Sequence, residues 1–253
     1  YPLFRSPTAL ADALRDAGVD VAVLANNHCC DGGAEGIRTT IAELDRCGIH
    51  HTGVFADSAD YKKNNPLYLK YCGMRLAIVN YTYGTNGMPV PAGTIVNLID
   101  TVRVASDVAE ARAAGVDFIV ACLHWGNEYE RRENAQQRTL AAFLRRHGVG
   151  VVVGSHPHVV QPWQADSSHV VLYSLGNLVS NQRRRYTDGG LVAAVGAVRH
   201  PDGRMSYSLE ATPVWVALPG YQILPPEAAD TMELPAAYGV FRSDVGTLTE
   251  NGL

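Results

Sequence analysis

Charge is scarce in this chain, and its balance excludes the broad positive field of a nucleic-acid binder. Of 253 residues, 18% are Asp, Glu, Lys or Arg, and 21 basic against 25 acidic side chains leave a formal net charge of −4. Non-specific binding to DNA or RNA needs the opposite sign, so no nucleic-acid partner is expected. Long apolar runs are missing too: nothing approaches the roughly 18 uninterrupted apolar residues of a membrane-crossing helix. The opening Tyr1-Pro2-Leu3-Phe4-Arg5 shows no basic-then-apolar leader. It does not start with Met either, so this terminus says nothing about location. Cysteine is sparse and odd in number: Cys29, Cys30, Cys47, Cys72 and Cys122 fit neither a disulfide framework nor a CxxC metal site. They read mostly as small buried apolar residues.

What the chain does have is apolar bulk, 47% of its residues, enough to build a substantial core. Ser6-Pro7 before Leu10, Ala13, Leu14 and Ala17, with Gly18 behind, reads as a helix capped by Ser6 with Pro7 in its first turn. Val19–Leu24 reads as a buried strand, and Gly33–Cys47 as a helix with Ile37, Ile41 and Leu44 on one face. A short extended piece follows at 49–52, then a hairpin, Tyr68–Tyr71 and Arg75–Tyr81, about a Cys72-Gly73 turn. From Thr101 helix and strand alternate: helix to Ala114, strand Asp117–Leu123, helix Glu133–His147, strand Val149–Val153. The runs FIVACL and VGVVV lack polar alternation, as central covered strands do. Beyond Val170–Tyr173 an antiparallel pair, Leu191–Arg199 and Met205–Val216, turns at Pro201-Asp202-Gly203. There is no internal repeat or low-complexity tract.

Ligands of an open α/β sheet bind outside the carboxyl ends of its strands. Three apolar runs here end in polar clusters: Asn26-Asn27-His28 with Asp31 and Gly32, His124-Trp125-Gly126 with Glu128, and His156-Pro157-His158. One histidine at a strand end is ordinarily a packed or capping residue. Four at three strand ends favour a metal, because imidazole is a preferred ligand of zinc, iron and similar ions. Pro157 is expected to hold His156 extended and so limit the turn. His50, His51, His147, His169 and His200 read as structural or surface residues, His147 at the negative end of its helix. The Cys29-Cys30 pair reads as packing.

The segments ANNHCCDGG, LHWGNEY, VVGSHPHVVQP and YSLGNLV, in that order and spacing, resemble the CapA family of poly-γ-glutamate capsule biosynthesis proteins. The resemblance spans roughly Tyr1–Val216. It implies the fold of calcineurin-like metallophosphoesterases, an α/β sandwich of mixed sheets flanked by helices. The Gly-Asp or Asp-x-His element of that superfamily, and the Asn-Leu-Glu segment of CapA-like chains, are not found upstream of Pro7, so the first β-α unit is expected to be absent. One CapA-type domain over 1–218 with a surface-wrapping tail over 219–253 is the expected organisation.

Carried over residue by residue, the resemblance implies Asn27, His124, His156 and His158 as ligands of one or two divalent ions of the manganese, iron or zinc type. His28 is implied as the general acid. Asp31 and Glu128 could be ligands, groups that orient the imidazoles, or proton carriers. Asn26, Ser155 and Asn177 lie inside the motifs and are candidate substrate contacts. Arg131-Arg132 and Arg183-Arg184-Arg185 follow two of the motifs; Arg131 and Arg183 are candidate contacts to a polyanion, although charge runs are more often solvated loops.

The expected function is a metal-dependent hydrolase-fold protein in synthesis, release or export of poly-γ-glutamate. Possible partners are other membrane-bound capsule synthesis proteins, at the bacterial cell envelope. A non-catalytic polymer-binding or scaffold protein on the same fold and a general phosphoesterase are the alternatives.

Overall fold

The computed structural model describes residues 4–229, 238, 239, 241, 243 and 245. The chain divides into two compact units, residues 1–124 and 125–253.

The first unit runs α1 (Ala9–Asp16), β1 (Val21–Val23), α2 (Gly33–Arg46), β2 (His50–Thr52), β3 (Val54–Phe55), α3 (Ser58–Asn64), β4 (Leu67–Tyr71), β5 (Met74–Thr82), β6 (Ile95–Val96), α4 (Thr101–Ala113) and β7 (Phe118–His124). Ile37, Ile41 and Leu44 of α2 are buried as their spacing predicts. β1 pairs in parallel with β2, and β3 pairs antiparallel with β6. The β4–β5 hairpin turns at Cys72 and Gly73, both with positive φ (48° and 79°), the twist that suits a two-residue loop. β5 then pairs in parallel with β7 through the α4 crossover. Asp57 and Asp100 cap α3 and α4, each accepting two backbone N–H bonds.

Two expectations are corrected here. α1 begins at Ala9 with Thr8 as its N-cap and no capping side chain; Pro7 instead accepts Leu10 N–H at 3.0 Å through its carbonyl. β1 is not a buried strand, since Val23 is 45% exposed. Its apolar run reflects one covered face, where Ala22 and Leu24 pack with Leu14 of α1 and Leu44 of α2.

The second unit contains α5 (Ala135–Arg146), β8 (Val151–Ser155), β9 (Trp163–Asp166), β10 (His169–Leu172), β11 (Gly189–Arg199), β12 (Met205–Ala217), β13 (Gln222–Leu224) and α6 (Pro226–Ala229). β10 lies between β8, parallel to it, and β9, antiparallel. β11 and β12 form the long hairpin read from the sequence, and β13 extends it from the other side of β12. Asn134 and Gln137 close a reciprocal capping box at the start of α5. His147 ends α5, with Nδ1 2.9 Å from Phe143 O. Val160, Leu191, Trp215, Ala217, Leu224, Phe241 and Val245 pack as one cluster. The expected tail, 219–253, lies largely outside the described residues; its described part supplies β13 and the buried Leu224, Phe241 and Val245. Among the described residues no helix is long and apolar enough to cross a membrane.

Candidate functional site

In the first unit the polar loop after β1 is held by a buried amide. Asn80 on β5 is 2% exposed; its Oδ1 accepts Ala25 N–H at 2.7 Å and its Nδ2 donates to Cys122 O at 3.0 Å. It therefore fixes the loop that starts at Ala25 against β7, two residues before His124. Gly53 passes so close to the Asn80 amide that a Cβ there would overlap it. Within the loop Asn26 uses both ends of its own amide: Oδ1 accepts His28 N–H at 2.8 Å and Nδ2 donates to Leu24 O at 2.9 Å. That turn aims Asn27 and His28.

From these residues runs one chain of side-chain hydrogen bonds. His124 Nε2 is 2.9 Å from Asn27 Oδ1, and Asn27 Nδ2 donates to Asn86 Oδ1 at 3.2 Å. Asn86 Nδ2 lies 3.3 Å from His28 Nε2, and His28 Nδ1 lies 2.8 Å from Asp31 Oδ2. The donors are mutually consistent if His124 carries its proton on Nε2 and His28 on Nδ1. Asp31 is buried and also accepts Phe4 N–H at 3.2 Å. Phe4 sets its ring edge-on to His28 at 4.4 Å, and Tyr83 stacks on His124 at 6.2 Å. Thus His28, Asp31, Asn27 and His124 come together across 97 residues of sequence.

In the second unit the loop 125–132 and the His-Pro-His loop are stitched through their backbones. Trp125 N–H donates to Ser155 O at 3.1 Å, and Tyr129 N–H to Pro157 O at 2.8 Å. Gln137, 1% exposed, donates to Gln161 Oε1 at 2.9 Å, and Gln161 donates in turn to the carbonyls of Glu130 and Arg132. Gly154 has no room for a side chain, because the Tyr173 carbonyl and the Trp125 indole occupy that space. The expectation that Pro157 keeps His156 extended is corrected: His156 has φ 103° and His158 φ 61°. Both are in backbone that L-residues rarely adopt, held there by the flanking network. Their ring centroids are 6.3 Å apart.

His158 Nδ1 lies 3.0 Å from Asn177 Oδ1, and its Nε2 is 4.0 Å from Glu128 Oε1. Asn177 also donates to Gln182 Oε1 and Thr187 O. Tyr129 lies against His158, centroids 5.9 Å apart. Ser155 is exposed. Arg183 is exposed with Nη1 on Gln182 O at 3.1 Å, whereas Arg131 lies over the Tyr186 ring at 4.2 Å.

Sequence reasoning missed Asn80, Asn86, Tyr83, Tyr129 and Gln182. Asn80 sits inside an apolar run, and a buried Asn in a strand is a usable signal of a bonded amide. Asn86 and Tyr83 lie in a turn-rich loop that carries no such mark. The Cys29-Cys30 pair is packing, as read: burial pushes the Cys29 thiol up to about 12, the neighbouring Cys30 adds to this, and the thiolate is suppressed. Burial does the same to Cys122, up to about 12.

The donor types suit a divalent cation. Asn27 Oδ1 and His124 Nε2, 2.9 Å apart, are hydrogen-bonded to each other, and both are atom types that coordinate such ions when that bond is given up. Among the described residues no three His, Cys, Asp or Glu side chains are grouped to hold an ion.

Polar loops after β1, β7 and β8, on α/β units of mixed sheets flanked by helices, define a protein of the calcineurin-like metallophosphoesterase fold. Solved structures of that type align with it. The sulfate thiohydrolase SoxB of Thermus thermophilus has a TM-score of 0.53 at 16% identity, covering 96% of this chain and 39% of its own. The NAD nucleotidase NadN of Haemophilus influenzae has 0.54 at 12% identity, covering 96% and 53%. The chain belongs to the family described as bacterial capsule synthesis protein PGA_cap, which matches residues 1–182. It is similar to the capsule biosynthesis protein CapA of Bacillus anthracis, 30% identical over 71% of this chain and 45% of that protein. It is likewise similar to the PGA biosynthesis protein CapA of Bacillus subtilis (strain 168), 29% identical over 79% and 52%. The chain spans about half the length of these relatives.

Proposed function

We propose that this chain is a metal-dependent hydrolase acting on poly-γ-glutamate during its synthesis, release or export at the bacterial cell envelope. The observation that carries the reading is the His28–Asp31 pair at 2.8 Å, beside the Asn27–His124 donor pair. A carboxylate on Nδ1 fixes the ring and stabilises the imidazolium, which leaves Nε2 as the nitrogen that gives a proton to a leaving group. Asn86 holds Nε2 in the resting state, and buried Asp31 keeps the ring from turning. Asn27 and His124 in the first unit, and His156 and His158 in the second, would be the ligands of one or two divalent ions. The chemistry such an ion would supply is Lewis-acid polarisation of a substrate oxygen and activation of water near neutral pH. Asn177 orients His158 through Nδ1, in the manner of a hydrogen-bonded metal histidine. Glu128 remains a candidate proton carrier at that ring, and Arg131 and Arg183 candidate contacts to the polymer.

The relatives' names support the polymer, and the fold supports metal-assisted hydrolysis. The second reading, a polymer-binding protein without turnover, is favoured by there being, among the described residues, no three His, Cys, Asp or Glu side chains grouped to hold an ion. Metal content and hydrolysis, of γ-glutamate oligomers and of a generic phosphodiester, separate these readings. His28→Ala is expected to keep its metal and lose about 10²- to 10⁴-fold in turnover; His124→Ala is expected to lose metal. Full activity in His28→Ala would remove that residue from its role. A fully metallated chain that binds oligomers and cleaves nothing would establish the binding protein, and cleavage of the phosphodiester alone would establish a general phosphoesterase.

A further inference from the structure

Tyr129 and Tyr186 both hold left-handed backbone, φ 66° and 75°, where bulky side chains are rare. An arginine lies over each ring. Arg184 Cζ is 4.3 Å from the Tyr129 centroid; Arg131 and Arg185 are 4.2 and 4.7 Å from that of Tyr186. Stacking on an aromatic face holds a guanidinium in place and leaves its N–H edge available for a carboxylate. Tyr129 is fixed from its other contacts: its N–H on Pro157 O, its hydroxyl 3.5 Å from Gln182 Nε2, and its ring on His158. Arg184 is exposed, and among the described residues no carboxylate pairs with it.

We propose that Arg184, laid over Tyr129, is a carboxylate-binding residue that sets the position of an anionic polymer relative to His158. This rests on the polymer reading above and assigns the recognition to Arg184. The Arg184–Tyr129 and Tyr129–His158 separations keep the guanidinium within the reach of one or two γ-linked glutamates, which extend about 6 Å each because their backbone has five bonds per residue against three in an α-peptide. Each such residue carries one free carboxylate, so Arg184 reads the charge one or two residues from the position at His158.

The test is calorimetric titration of the whole chain with γ-glutamate oligomers and with the same oligomers amidated at their carboxylates. Arg184→Ala is expected to weaken oligomer binding about tenfold or more, the loss of one charge-assisted contact, with Arg184→Lys intermediate. Arg204→Ala, which removes the same charge from the β11–β12 turn where Arg204 pairs with Asp202, is expected to stay within about twofold. Thermal unfolding of Arg184→Ala is expected to be unchanged. Equal effects of Arg184→Ala and Arg204→Ala, or an equal Arg184→Ala loss for amidated oligomers, overturn the proposal while the polymer reading stands. Failure of the unaltered chain to bind any oligomer overturns both. Loss of binding to phosphatidylglycerol vesicles in Arg184→Ala, with oligomer binding intact, assigns the arginines to a membrane surface instead.

Discussion

Replacing Asn80 with alanine should release the loop that carries Asn27 and His28 while leaving every candidate ligand in the chain. The substitution strands two buried backbone groups, Ala25 N–H and Cys122 C=O, in a place where Asn80 itself is 2% exposed. Each unsatisfied group costs about 1–3 kcal/mol. Partial relaxation and an entering water reduce the sum, so a loss of about 2–4 kcal/mol is expected out of a total of about 5–15 kcal/mol. Urea unfolding measures it as a lower midpoint at an unchanged slope. Hydrogen exchange supplies the local reading: the Ala25 amide should exchange at least about 30-fold faster, as its opening energy falls by the same amount. Asn80→Asp keeps an acceptor for Ala25 but turns an anion towards the Cys122 carbonyl, so it should also be destabilised at neutral pH. A loss below about 0.5 kcal/mol with Ala25 still protected would show that the Asn80 amide does not organise this loop, contrary to the reasoning.

Burial, with Arg145 adding to it, lowers the pKa of His169 in β10. Its neutral form thus favours folding: that stability is fully present above about pH 6.5 and is lost as pH falls through the depressed folded value, with a slope of at most about 1.4 kcal/mol per pH unit. Unfolding between pH 7.5 and 5 should show this slope, and His169→Asn should remove it; an unchanged slope in the variant would place the proton elsewhere. Gly154→Ala should cost about 1–3 kcal/mol, because the new methyl meets the Tyr173 carbonyl and the Trp125 indole. It should also break the 2.9 Å bond between them, read as a change in tryptophan fluorescence. A neutral Gly154→Ala variant would refute the close approach.

Much of the α/β frame was legible because it depends on local pattern. Ile37, Ile41 and Leu44 at helical spacing gave α2, Cys72-Gly73 gave the β4–β5 turn, and Pro201-Asp202-Gly203 gave the β11–β12 turn. The short β3 and β6, of two residues each, have no period to detect and exist only because they pair with each other. α3 had a local mark, the Asp57 cap, but too few turns for an apolar face. The left-handed backbone of His156 went against the local rule for a residue before proline, since the surrounding hydrogen bonds override that preference.

The sequence by itself determined which side chains follow the apolar runs: Asn27, His28 and Asp31 after one, His124 and Glu128 after another, His156 and His158 after the third. Tertiary structure decided what each meets. A hydrogen bond between Asn27 and His124 spans 97 positions, Asn86 enters the His28 relay from a loop without a motif, and of adjacent arginines Arg184 lies over Tyr129 while Arg183 turns to a backbone carbonyl. Local pattern fixes the period and facing of an element through its own backbone bonds. Partners distant in sequence are chosen only when strands pair and loops close over one another, and that choice has no local period to read.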